Sequence, residues 1–470
     1  MILTLDVGTS RTKAVLWDPD GPVDRAAVAL TTHHPSADRA EQDPTEWWDS
    51  VATACAALES RAPGRLRAVT GVGCTGARQT FGLFDAGGRP TGPGIVWSDG
   101  RAASGPTGHG SPPGTWVTAT LAWVAARRAD ELARSAWILA PRDQVAWRLS
   151  GSVATDPTLA SLTGCYGPDG AVLDRWAGPV SDRLPPIVPS DRVTGGVGPE
   201  AAGRLGLTVG TPVVIGAGDR QCEVLGTGAT PTRPMVSWGT TANVSRPVAG
   251  LVDPVPREVV ATRSATGGWQ LEGGLSAAGS LLSWLGQVCG RSPTELAGLA
   301  GSSPPGARGV TAVPWLGGAR APWWRPGVGA AFVGLAGSHG PADLARAVFE
   351  AVALDVQRCL EAMGDGDQPG YGPSGLGLAG AGAATPVWSE VLTGTTGLPA
   401  RIRRSGEAAS AGVALLTAGA VGERWDLEDL DPVVGEVGPD PAAVRVYADL
   451  RPGADRVAHA LVGVGTPGPP

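Results

Sequence analysis

Apolar positions recur every four residues along Pro341–Met363, where Leu344, Val348, Val352 and Val356 share one face, and this spacing predicts a long amphipathic helix. Helical spacing also joins Trp47, Val51, Ala54 and Leu58. These follow Asp43-Pro44-Thr45-Glu46, an expected helix start with Asp as N-cap, Pro first and Glu third. Further helices are expected over roughly 117–128 and 143–149, around Leu282 and Leu285, from Pro386, and from Glu407, where small residues suit close packing. Between them lie short apolar or alternating runs: Leu3–Val7, an Arg/Ala/Val run after Gly21, Val213–Ile215, Val310–Leu316 and Leu376–Ala379. Alternation of strands and helices predicts an α/β fold. A Pro/Gly-rich stretch, 105–114, reads as a surface loop, and beyond about Gly422 the weakly patterned tail is expected to be peripheral.

One device occurs twice. Asp6-Val7-Gly8-Thr9-Ser10 falls on Ser237-Trp238-Gly239-Thr240-Thr241 at an offset of 231 residues (239 minus 8). Each copy is strand, Gly-Thr turn, strand. Such a turn offers backbone N–H groups and hydroxyls, the donors a phosphate needs. A repeat of this length implies two similar domains, taken as 1–224 and 225–470, each presenting its turn to a shared cleft. Just before the second copy, Val213-Val214-Ile215 runs into glycines and delivers one carboxylate, Asp219. A phosphate chain held from two sides, with a carboxylate between, points to phosphoryl transfer.

Composition narrows the classes. The 470 residues suit two domains, and 42% hydrophobic content suits globular cores. A net charge of −7 argues against a broad nucleic-acid surface, and no apolar run approaches the length of a membrane span. The chain opens on a strand instead of a signal peptide, so a cytoplasmic enzyme is expected. Six scattered cysteines without a CxxC read as reduced core residues. Lys13 is the only lysine; it is preceded by Thr12 and followed by Ala14, so there is no P-loop. Gly71-x-Gly73-x-x-Gly76 matches the dinucleotide fingerprint, but Ala77–Asp85 continues like a strand and not like the helix a Rossmann site needs.

With these residues in hand, the chain resembles the FGGY carbohydrate kinases of the actin-like ATPase superfamily, from Leu3 to about Gly422. The most specific block is Ala330-x-Phe332-x-Gly334-Leu335, seven residues, then Asp343-Leu344-x-x-Ala347-Val348-Phe349-Glu350. Glu41-Gln42-Asp43-Pro44, Trp97-Ser98-Asp99-Gly100-Arg101 and Gly216-Ala217-Gly218-Asp219 are also similar to family blocks. The resemblance implies two ribonuclease H-like domains, mixed sheets flanked by helices with a cleft between them. It further implies that ATP is held by Thr9, Ser10 and Lys13 on one side and by Gly239, Thr240, Thr241, Gly279, Gly380, Ala381, Gly382 and Thr385 on the other. Asp6 would hold magnesium through water, Asp219 would be the catalytic base, and Arg78, Gln79 and Trp97 would hold the polyol. The partners implied are a small sugar or polyol and ATP, with no nucleic acid and no membrane; a homodimer is compatible with this.

Three departures stand out. Trp123 is preceded at three residues by Thr120 where the family has lysine; Glu390 and Gly394 replace Gln and Asp of the nucleoside block; Arg220 follows Asp219 where a small polar residue is usual. The first two are expected to alter packing. Arg220 either faces the pocket, favouring an acidic sugar, or turns outward to Glu223, three residues on; the second is preferred because i,i+3 partners are readily satisfied. Asn243, at a position where glycerol kinases carry an apolar ring, suggests a more polar, larger acceptor. The expected substrate is a neutral polyol or ketose of about four to seven carbons, with a gluconate-type acid as alternative. A non-catalytic actin-like nucleotide switch, a dehydrogenase and a pseudokinase are rival classes; Asp219 with Arg78 and Gln79 argues against the switch and the pseudokinase.

Overall fold

The computed structural model describes residues 1–102, 117–167, 169–173, 180–364 and 372–464; the expected surface loop 105–114 lies outside them. The chain forms two compact units. The first contains Met1–Gly226, Thr262–Gly268 and Glu407–Pro432; the second contains Thr227–Ala261, Trp269–Gly406 and Val433–Pro470.

In the first unit the sheet order is Gly21–Ala29, Arg11–Asp18, Ile2–Val7, Gly71–Gly76, Pro212–Val214, Val193–Gly196. The first three strands are antiparallel neighbours, the next two join in parallel, and the edge strand is antiparallel. Side chains alternate across a strand, and Ile2–Val7 shows what each face meets. Leu3, Leu5 and Val7 pack with Trp47, Val51 and Leu58 of the helix Pro44–Arg61, while Ile2 joins Val15 and Trp17 against Ala411, Ala414 and Ala418 of the helix Ala408–Ala420. Asp6 therefore shares the face of Ile2 and Thr4. The helix Pro44–Arg61 begins as its sequence predicts, with the Asp43 side chain accepting from Thr45 N.

The glycine fingerprint is itself the strand. Gly71–Gly76 is wholly buried, and a Cβ on Gly73 would strike Thr417 Oγ1. Glycine is there so that the helix Ala408–Ala420 can lie against the sheet, not to admit a dinucleotide. The same helix crosses the helix Asp219–Gly226 at small residues: a Cβ on Gly412 would collide with Cys222 O, and one on Gly226 with Ala408 O.

In the second unit the order Trp269–Gly274, Ala242–Val248, Met235–Trp238, Leu376–Ala379, Ala400–Arg403, Val433–Val437 repeats that topology, with antiparallel, antiparallel, parallel, parallel and antiparallel neighbours. The copies differ at the turn. Val7 pairs with Thr12, leaving residues 8–11 between partners, whereas Trp238 pairs with Ala242, leaving 239–241. The offset thus falls from 231 before the turn to 230 after it (242 minus 12), and Lys13, which pairs with Asp6, corresponds to Asn243, which pairs with Ser237. A charged cross-strand pair in one unit is a neutral one in the other.

The helix Pro341–Ala362 is the spine of the second core, with Val348, Val352 and Val356 fully buried. The C-terminal segment is not peripheral. Val433–Val437 is a sheet strand, and the helix Pro441–Val464 buries Tyr447, whose hydroxyl donates to Glu350 Oε1 at 3.0 Å and accepts from Arg346 at 2.6 Å. Its buried face includes Ala443, Ala454 and Ala458. Alanines carry little hydrophobic signal, which is why the pattern reads weakly. All six cysteines are free thiols.

Candidate active site

The first turn is pinned from below. Trp97 Nε1 donates to Thr9 Oγ1 at 2.9 Å and Gln42 Nε2 to Thr9 O at 2.6 Å, while Gly8 N bonds Arg11 O at 3.1 Å. Trp97, expected at the polyol, also braces the Gly8-Thr9 turn. Ser10 is exposed at its tip. Beside the turn, Asp6 Oδ1 is shut off from solvent and has no hydrogen-bond partner among the described residues. Burial pushes its carboxyl up to about 7; Lys13 opposes the shift, and Asp219, Glu407 and Glu223 add to it. Lys13 does not bond Asp6: its Nζ lies 2.7 Å from Glu407 Oε2, and Glu407 also takes Arg25 at 3.2 Å. Glu407 immediately precedes the helix Ala408–Ala420. In sequence Glu407 marks only a helix start; the fold brings it back to Lys13.

Asp219 opens the helix Asp219–Gly226. Gly216, three residues earlier, has φ of 70° and no room for a side chain, since a Cβ there would collide with Cys74 O. The bend is fixed from behind. Arg142, fully buried, donates to Ile215 O at 3.0 Å, to Gly216 O at 2.7 Å and to Asp156 Oδ1 at 2.8 Å; Gly218 N donates to Thr158 Oγ1 at 2.9 Å. Burial pushes Asp143, next to Arg142, up to about 6 despite that guanidinium. In front, Asp219 Oδ1 accepts from Arg220 N at 2.7 Å and lies 3.3 Å from Arg78 Nε, and its side chain is 31% exposed. Gln79 has φ of 57°, a left-handed conformation uncommon for glutamine. Arg220 NH1 meets Glu223 Oε2 at 2.6 Å, the outward partner expected.

In the second unit, Gly239, Thr240, Gly279, Ala381, Gly382 and Thr385 line one pocket of about 800 Å³. The turn is docked onto a helix start: Ala278 N and Ser280 N donate to Thr240 O, and Gly279 N to Gly239 O, at 3.0–3.1 Å. Trp238 forms the floor, stacked 5.1 Å from Phe349 and tilted 4.3 Å from Trp388. A Cβ on Gly382 would strike the Trp238 ring, and Gly380 has φ of 80°. Thr241 and Gly380 flank this pocket in sequence; Asn243 is buried, its Oδ1 accepting from Ser245 at 2.6 Å.

Among the described residues no three His, Cys, Asp or Glu side chains are grouped to hold a metal, and no helix is long and apolar enough to cross a membrane. A magnesium ion bound with nucleotide needs only one or two carboxylates besides phosphates and water, and the unpartnered Asp6 Oδ1 fits that need.

The FGGY C-terminal domain model matches residues 224–421, and the N-terminal domain model matches 1–107 and 106–226. The chain is 30% identical over 484 residues to xylulose kinase of Klebsiella pneumoniae, covering 96% of this chain and 97% of that one. It is 29% identical over 432 residues to xylulose kinase of Escherichia coli (strain K12), covering 87% of each. The structure of ligand-bound xylulose kinase from Lactobacillus acidophilus superposes with a TM-score of 0.88 at 20% identity, covering 99% of both chains. The paired mixed sheets, the Gly-Thr turn in each and these matches place the chain in the FGGY family, and it is a carbohydrate kinase.

Proposed function

We propose that this kinase transfers the γ-phosphoryl group of ATP to a hydroxyl of a neutral ketose or polyol, with Asp219 as general base. The observation that carries the reading is Asp219 itself: a half-exposed carboxylate, held in a fixed bend and 3.3 Å from Arg78. A sugar hydroxyl is a poor nucleophile near neutral pH, and a carboxylate within hydrogen-bond reach takes its proton as the new O–P bond forms. The bond from the γ-phosphorus to the bridging oxygen breaks, ADP leaves, and Asp219 returns the proton to solvent. Arg78 orients the carboxylate and, with Gln79, the acceptor. In the first unit Thr9, Ser10 and Lys13 offer donors to phosphate; in the second unit Gly239, Thr240 and Thr241 do the same, and Gly279, Gly380, Ala381, Gly382 and Thr385 cradle the nucleoside. Asp6 would hold magnesium, through water, and the ion supplies charge neutralisation on the phosphates.

Neutrality of the acceptor is supported by charge pairing. Arg78 faces Asp219, Arg220 faces Glu223 and Lys13 faces Glu407, so each cation already has a carboxylate. A ketose is further supported by the xylulose kinases among the relatives. The test is ATP-dependent product formation over a panel of ketoses, polyols and aldonic acids. Turnover confined to the acids, and abolished by Arg220→Gln, would replace this reading with a gluconate-type kinase.

A further inference from the structure

Among the described residues that line the pocket of the second unit, Glu390 alone is charged. It stands on the helix Pro386–Thr396, four residues and therefore about one turn beyond Pro386. Glu390 is exposed, and its carboxylate has no ion pair or hydrogen bond among the described residues. Packing explains its neighbour but not Glu390. A Cβ on Gly394, four residues on, would come 3.0 Å from Tyr447 Cε2 and 3.2 Å from Ala443 Cβ, so glycine there admits the C-terminal helix. Glu390 lines the pocket with its carboxylate unengaged by any described residue.

An ionised carboxylate only accepts hydrogen bonds. Phosphates offer it no donor and repel it, so its partner in a nucleotide is the sugar or the base. Neutral hydroxyls of Ser280, Ser283, Thr294 and Thr385 already line the pocket and suit a ribose. Ala297 and Gly298 on the helix Pro293–Ala300 leave open space for a flat ring, and a Cβ on Gly298 would meet no atom within 4 Å.

Resting on the nucleotide-binding reading above, we propose that Glu390 selects the phosphoryl donor by its base and makes GTP at least as good a donor as ATP. Guanine carries N1–H and the N2 amine side by side, so one edge satisfies both carboxylate oxygens. Adenine offers one amine beside N1, a bare acceptor that a carboxylate oxygen repels. Each well-formed bidentate pair of this kind discriminates between bases by about tenfold or more.

The test compares kcat/KM for GTP and ATP with a turned-over sugar, and dissociation constants for GDP and ADP without acceptor, in the full-length wild type and in Glu390→Gln. Glutamine both donates and accepts, so it suits adenine. The wild type is expected to show a GTP:ATP ratio of one or more, falling about tenfold in Glu390→Gln, with GDP:ADP affinity moving the same way. A wild-type GTP:ATP ratio below one, or a ratio unmoved by Glu390→Gln, overturns the assignment of Glu390 while leaving nucleotide binding intact. Failure of both diphosphates to bind overturns the assignment together with the nucleotide-binding reading.

Discussion

Lys13 Nζ sits 2.7 Å from Glu407 Oε2, although the residue facing Lys13 across the strand pair is Asp6. Glu407 keeps the only lysine off Asp6 and so leaves Asp6 Oδ1 available. Glu407→Gln is expected to release Lys13 toward Asp6. The magnesium concentration for half-maximal activity should then rise about tenfold, the equivalent of one pKa unit of competition, and nucleotide affinity without metal should fall as Lys13 is drawn from the phosphates. Magnesium titrations, with equilibrium dialysis of magnesium-free nucleotide, check both arms; an unchanged magnesium requirement would show that Glu407 only anchors its helix.

Asp6 also gives the ligand-free protein a pH signature. Its carboxyl is raised to about 7, with burial as the main cause. A raised carboxyl favours the protonated form in the fold, so its contribution to stability is full below the ordinary carboxylate range and is lost as pH rises through about 7. Each pH unit of displacement is worth about 1.4 kcal/mol, which sets a ceiling of about 4 kcal/mol that entering water reduces. Thermal melts from pH 5 to pH 8 should therefore fall more steeply for the wild type than for Asp6→Asn, and parallel slopes would contradict the assignment.

Asp219→Asn should melt like the wild type, because its side chain is partly exposed and the bend before it is fixed by Arg142 and Thr158. Sugar-dependent turnover should drop about 10²–10⁴-fold, the usual cost of removing a general base. Near-normal turnover would remove Asp219 from the mechanism.

Tyr447→Phe tests the C-terminal helix as part of the second core. The hydroxyl bonds both Arg346 and Glu350, and burial already holds the Glu350 carboxyl above its usual range. Removing it leaves buried charged groups short of a partner, and the expected loss is about 1–3 kcal/mol. Urea unfolding measures it; a change within error would mean that water replaces the hydroxyl.

Much of this was legible in the sequence for a physical reason. Helical periodicity marks Pro341–Ala362 because one face is strongly apolar, and the Asp43-Pro44 start is a local capping signal. The Gly-Thr turns and Asp219 are short motifs whose chemistry is carried by adjacent residues. What was hidden depends on distant contact. Glu407 acquires a role only when its helix returns to the first sheet, and Gly73 is a packing residue only because Thr417 lies on it. The bond of Trp97 to Thr9 likewise spans 88 residues of sequence. The alanine face of Pro441–Val464 was invisible because its burial rests on many small contacts.

The return of Glu407–Pro432 to the first unit has a consequence for synthesis on the ribosome. Ile2, Val15 and Trp17 are covered by Ala411, Ala414, Ala418 and Leu430, made nearly four hundred residues later. At about 5–20 residues per second, that face of the sheet waits from roughly 20 seconds to over a minute for its cover. The nascent chain therefore carries an uncovered apolar sheet face through most of its own translation, and a truncated product ending at Gly226 carries it permanently. Such a fragment is a natural client for a chaperone that binds exposed strands.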